Sequence, residues 1–133
     1  MNANVGKQAK TFRVLAVNPG ATSTKFGAFE DDAKLFNHTV KHGFEDLASY
    51  SRMLDQCRYR MDLIVNTLNI VGIQLNSFNA VAGRGGLLKP LAGGTYEVNE
   101  LMVEDLKKAE WGEHASNLGA VIAADLAKQV GVP

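Results

Sequence analysis

The run from Val14 to Lys25, Val-Leu-Ala-Val-Asn-Pro-Gly-Ala-Thr-Ser-Thr-Lys, constrains the fold more than any other part of the chain. An apolar, β-branched segment from Phe12 to Val17 stops at Asn18-Pro19-Gly20. A second apolar segment, Phe26 to Phe29, begins soon after. That pattern specifies a strand, a tight polar turn and a second strand. Glycine frees backbone N–H groups in the turn, and Thr22, Ser23, Thr24 and Lys25 add hydroxyls and an ammonium. Amides and hydroxyls donate hydrogen bonds to phosphate and lysine supplies charge, so the turn suits a phosphate group. The same residues also describe an ordinary hairpin with a polar turn.

The elements extend from this hairpin. Phe12–Asn18 is nearly all apolar and is expected to be buried on both faces. Thr24–Glu30 is the second strand, Asp31-Asp32 a turn, and Lys34–Lys41 a third strand whose alternation suits a half-exposed edge. His38 and His42, on or just after that edge, read as surface residues. From about Glu45 to Val71 the spacing predicts one long helix. Leu47, Tyr50, Leu54, Cys57, Met61, Ile64, Leu68 and Val71 form its apolar stripe, and Arg52, Gln56, Arg58, Asp62 and Asn69 lie largely outside it. The stripe suits a coiled-coil seam or dimer face, but packing on a sheet is the preferred reading. Gly72 caps this helix.

Ala80–Ala82 reads as a short buried strand leading into Gly83-Arg84-Gly85-Gly86. Gly93-Gly94-Thr95-Tyr96 reads as a flexible loop and Trp111 as packed in a loop core. One helix runs from an Asn99 N-cap to about Lys108. Another starts near His114 and ends around Val130, capped by Gly131. The β-β-β-α-β-α-α order predicts a mixed α/β sheet. The next parallel strand would follow Val132-Pro133, so the sequence reads as part of a longer protein. Met1–Lys10 is polar without an apolar h-region; it reads as a disordered tail or expression remnant, not a secretory signal.

Composition narrows the function classes. A chain of 133 residues supports one domain with a real core. Fourteen basic and fourteen acidic residues balance, so nothing steers the chain toward nucleic acid or an anionic membrane. The lone Cys57 cannot form an intrachain disulfide and suits a reducing, cytoplasmic compartment. No apolar run approaches the ~20 residues of a membrane span.

In open α/β sheets, ligands bind beyond the carboxyl ends of strands, and three polar sites fall there. They are Asn18 to Lys25, Gly83 to Gly86, and Gly112-Glu113-His114-Ala115-Ser116-Asn117. Arg84, framed by glycines, suits bidentate recognition of a carboxylate or phosphate, or else pairs structurally with a nearby acid. His114 at a helix start could donate to a phosphoryl oxygen, or serve as a capping or packing histidine.

At this point the residues match a known family. The segments VLAVNPGATSTKFGAFED, AVAGRGGLLKPLAGGTYEVNE and GEHASNLGAVIA closely resemble the butyrate kinases, in the acetokinase family of the sugar kinase/Hsp70/actin superfamily. The resemblance spans about Phe12 to Pro133. It implies an RNase H-like, actin-like (ASKHA) domain over residues 11–133, the N-terminal domain of a two-domain kinase, without its last strand. It implies reversible phosphoryl transfer from ATP to a short-chain carboxylate, giving an acyl phosphate and ADP. By resemblance Asn18 helps organise Mg²⁺ or the phosphates, Ser23 and Lys25 contact nucleotide phosphates, and Arg84 and Asn117 bind substrate. Arg84 and His114 are the catalytic pair, with His114 at the transferring phosphoryl group. Ala21 departs from the family, where a serine is usual, which puts any role of that position in doubt. The family's catalytic aspartate, a second arginine, a further histidine, a glutamate and the adenine-binding domain would lie beyond Pro133. This portion is therefore expected to be inactive alone, and the parent to be a homo-oligomer.

An acetate or propionate kinase is the nearest alternative, and a non-catalytic assembly domain led by the Leu47–Val71 stripe is another. An RNase H-like nuclease needs clustered acids holding two metals, whereas the first strand ends in Asn18.

Overall fold

The computed structural model describes residues 10–133; apart from Lys10, the tail read over 1–10 lies outside them. In chain order the elements are β1 (Arg13–Pro19), β2 (Ser23–Glu30), β3 (Ala33–Lys41), α1 (Phe44–Ala48), α2 (Cys57–Ile70), β4 (Ala80–Gly83), α3 (Glu100–Lys108) and α4 (Asn117–Val130). Short 3₁₀ turns occupy Met53–Gln56 and Leu75–Ser77. The sheet order is β3-β2-β1-β4. The first three strands are an antiparallel meander, and β4 runs parallel to β1. A meander followed by a helical crossover to a parallel strand beside β1 is the mixed α/β arrangement expected from the element order.

Register sorts the side chains onto two faces. Leu15 pairs with Ala28, Val17 with Phe26 and Pro19 with Thr24, and this face is buried. Between them, Asn18 pairs with Lys25, and Lys25 with Thr39, so these three form a row across the other face. A strand's period of two makes this division unavoidable once one face is covered.

The cover is α4, which packs on β4 and β1 and against α2 and α3. Leu118, Val121, Ile122 and Leu126 meet Leu15, Val17, Phe26, Met61, Ile64 and Leu68 in one core. Asn99 caps α3 by accepting from the Met102 N–H at 2.8 Å. Gly131 ends α4 in the left-handed conformation, φ 72°, which glycine adopts without strain.

Several expectations are corrected. The long helix is broken between Ala48 and Cys57. Glu113 accepts from Met53 N–H and Arg52 Nε, both at 3.0 Å, while Asp55 takes Arg52 N–H at 3.2 Å. These bonds start a new turn where periodicity alone would continue the old one. Within the stripe, Cys57, Met61, Ile64 and Leu68 are buried, but Val71 is 43% exposed. Gln56, placed outside the stripe, is buried because it holds Arg60. β1 is buried on one face only; Val14, Ala16 and Asn18 are half-buried. β4 is half-buried to exposed rather than buried, since it is an edge of this sheet with α4 on one side. His42 is 6% exposed, folded inward by its N–H bond to Thr22 O and its ring bond to Thr24. Trp111 is 52% exposed.

Candidate functional site

Three chain segments and one strand face meet in an open cleft of about 430 Å³. Asn18, Pro19, Gly20, Ser23 and Lys25 come from the β1–β2 turn, Arg84 and Gly85 from the end of β4, and His114 and Ser116 from the turn entering α4. Thr39 of β3 completes the lining. The sequence reading missed Thr39. Its alternation with Val40 and its partnership with Lys25 were the available signal.

The turn is held tightly. Gly20 N–H donates to Ser23 O at 2.7 Å. Strand alternation sends Ser23 and Lys25 to the cleft and Thr24 inward, where it is fully buried. The Thr24 hydroxyl is therefore a core group, and the expectation that all three turn hydroxyls face one ligand is corrected.

Arg84 follows β4 directly, and its N–H donates to Val17 O at 2.9 Å. That bond extends the β1–β4 pairing and fixes where the side chain leaves the sheet. Glycine is required on both sides of this crossing. A Cβ on Gly83 would lie 2.3 Å from Gly119 O, and one on Gly119 would lie 2.3 Å from Arg84 O. The close approach brings the β4 end against the first turn of α4. Among the described residues neither Arg84 nor Lys25 forms an ion pair. A purely structural arginine would have an acid beside it; this one lies open to the cleft.

His114 precedes α4 by a turn rather than opening the helix. Its Nδ1 accepts from Ser116 N–H at 3.1 Å and lies 2.7 Å from Ser116 Oγ. A ring nitrogen that accepts a backbone N–H carries no proton, so the neutral ring keeps its hydrogen on Nε2. That leaves one N–H donor for a ligand.

Asn117 is not in the cleft lining. It is 4% exposed; its Oδ1 accepts from Leu87 N–H and its Nδ2 donates to Gly112 O, both at 2.8 Å. The side chain joins the loop after Arg84 to the turn before His114.

The lining offers hydroxyls, an amide, an imidazole and two cations, with no carboxylate. Among the described residues no group of three or more His, Cys, Asp or Glu side chains could hold a metal. Such donors fit a phosphate or polyphosphate directly. A divalent cation finds only neutral oxygens here, so it would be held chiefly by the phosphates it accompanies.

Cys57 lies apart from the cleft, and burial pushes its thiol pKa up to about 11, the signature of an inert core cysteine. Among the described residues no helix is long and apolar enough to cross a membrane.

Comparison with known proteins bears out the resemblance read from the motifs. The chain is 47% identical over 122 residues to butyrate kinase 1 of Clostridium acetobutylicum, covering 92% of this chain and 34% of that protein. The chain thus spans about a third of the length of the curated relative it matches. It is 21% identical to RuvC of T. thermophilus in complex with a Holliday junction substrate, with a TM-score of 0.43, covering 92% of this chain and 61% of that one. No family model matches the chain.

Proposed function

We propose that this chain is the N-terminal actin-like domain, residues 11–133, of a two-domain short-chain fatty-acid kinase. The reaction is butyrate plus ATP to butyryl phosphate plus ADP, and it is reversible. One observation carries the reading: Asn18, Ser23, Lys25, Arg84 and His114, distant in sequence, line one cleft whose cations have no acidic partner among the described residues. The 47% identity to a butyrate kinase supplies the acid.

In this reading a carboxylate oxygen of the acid attacks the terminal phosphorus of ATP. An oxygen–phosphorus bond forms as the bond to the ADP oxygen breaks. Arg84 holds the carboxylate in its planar fork. Ser23 and Lys25 donate to the nucleotide phosphates and offset their charge. His114 donates its Nε2–H to an oxygen of the transferring group, where charge is spread. Asn18 touches the phosphates or the Mg²⁺ they carry. For Asn117, proposed from the family pattern to bind substrate, the bonds to Leu87 and Gly112 favour holding the Arg84 and His114 loops in place. Partners are the short-chain acid and its acyl phosphate. The setting proposed is the cytoplasm, without nucleic acid or membrane, and the assembly a homo-oligomer.

The test is an assay of ATP-dependent acyl phosphate formation, trapped as hydroxamate, with butyrate, propionate and acetate in parallel. It compares the 133-residue chain with a version extended to the full length of its butyrate kinase relative. Turnover of butyrate by the extended protein alone supports the reading. Preference for acetate or propionate moves the substrate to those acids, and no activity on any carboxylate overturns it.

A further inference from the structure

Beneath the β1–β2 turn, on the side away from the cleft, lies a cation that no motif pointed to. Arg60, on α2, is the largest fully buried side chain. Its Nε and Nη2 bond Gln56 Oε1 at 3.1 and 2.8 Å. Its Nη1 reaches Gly20 O at 2.8 Å, Ser23 O at 3.0 Å and Thr24 Oγ1 at 3.1 Å. All these acceptors are neutral, and among the described residues no carboxylate pairs with it. Buried charges in proteins are normally paired, because neutral acceptors satisfy the donors without cancelling the charge.

The bonds also orient the turn. In a trans peptide the carbonyl and the next N–H point in opposite directions. Drawing Gly20 O inward turns the Ala21 N–H away from Arg60. Pinning Ser23 O inside leaves the Ser23 side chain in the cleft lining. A lysine ammonium, lacking the rigid fork, could not hold Gln56 and the turn together in this geometry.

We propose that Arg60 is a positioning residue for a phosphate or polyphosphate group in the cleft, fixing the Gly20–Thr24 turn by its inner oxygens and carrying a buried charge that the ligand balances. The proposal rests on the phosphoryl-transfer reading of the cleft. Arg60 acts through the turn and touches no reacting atom.

Amide NMR of the 133-residue chain, titrated with tripolyphosphate, tests it in wild type, Arg60→Met and Arg60→Lys. In wild type the amides of residues 20–25 and 84–86 shift, and the Arg60 Nε–H resonance moves with them. Arg60→Met weakens binding by about tenfold or more, the size of one charge-assisted contact, with core signals of Leu15, Ile64 and Leu126 in place. Arg60→Lys restores part of the loss. Wild-type affinity in Arg60→Met, or an Nε–H signal unmoved at saturation, overturns the proposal and leaves the phosphate cleft standing. No shift anywhere in wild type overturns the phosphoryl reading and this proposal with it. Should Arg60→Met fail to fold, Arg60→Lys and Thr24→Val decide: weakened binding in both supports the proposal, and full affinity in both overturns it.

Discussion

Asn117 and His42 show how single side chains hold this site from behind. Asn117 supplies an acceptor to Leu87 and a donor to Gly112 at the same time. Asn117→Asp keeps the first bond and sets a carboxylate oxygen against the Gly112 carbonyl; Asn117→Leu loses both. A buried polar group left unpaired costs about 1–3 kcal/mol, so urea unfolding should show a loss of that size in each variant. His42 has its Nε2 on Thr24 Oγ1 at 2.8 Å, while its Nδ1 has no partner among the described residues. Burial lowers its pKa, nearby Arg60 lowers it further, and Asp46 opposes them in part. The unfolded chain therefore takes up a proton first as pH falls. Stability from the neutral ring is full above the unfolded value of about 6.5 and is lost progressively below it. Thermal melts from about pH 7.5 down to about pH 5 should show a falling Tm, and His42→Gln should flatten that slope.

Between elements, the β4–α4 contact matters most for the site. Gly83 and Gly119 let a strand end and a helix start meet backbone to backbone. Gly119→Ala forces a methyl to within 2.3 Å of Arg84 O, so α4 or the Arg84 loop must move. A stability loss of about 1–3 kcal/mol in urea unfolding is expected and, on the proposed kinase reading, a raised KM for the carboxylate in the extended protein. Ile64→Ala, fully buried on α2, should cost about 2–5 kcal/mol by the same measurement and leave the cleft geometry intact. The meander was legible because its turns carry their own punctuation: Asn18-Pro19-Gly20 and Asp31-Asp32, with Asp31 at φ 50°. The three cleft loops were legible because they follow the carboxyl ends of β1 and β4 or enter a helix. The break before α2 was not legible. The apolar spacing runs through it without interruption, and the acceptor that starts the new turn, Glu113, is distant in sequence. Arg60 was invisible for a related reason. An apolar stripe passes over an arginine, and Gly20 and Ser23 become its partners only when α2 lies under the turn.

Across the whole molecule, charge is balanced but unevenly placed. Fourteen basic and fourteen acidic residues cancel, yet the cleft lining holds Lys25 and Arg84 without a carboxylate, above the buried Arg60. The cleft is therefore a local concentration of positive charge. Two consequences separate binding from turnover. A ligand that binds only the folded chain stabilises it by RT ln(1 + [L]/Kd), about 1.4 kcal/mol at ten times Kd. Pyrophosphate should therefore raise the Tm of the 133-residue chain by a few degrees, whether or not that chain turns over substrate. Exposed charges are screened within about 10 Å at 0.1 M salt and about 3 Å at 1 M, whereas buried ones are screened much less. Raising the salt should then remove most of the contribution from Lys25 and Arg84 while sparing that of Arg60. A differential scanning series in pyrophosphate and salt reads this directly. The Tm gain should shrink with salt but persist in wild type, and in Lys25→Ala/Arg84→Ala it should fall to about that high-salt remainder and change little with salt. A gain that is unaffected by salt in wild type, or that is undiminished in the double variant, would place the anion elsewhere on the molecule.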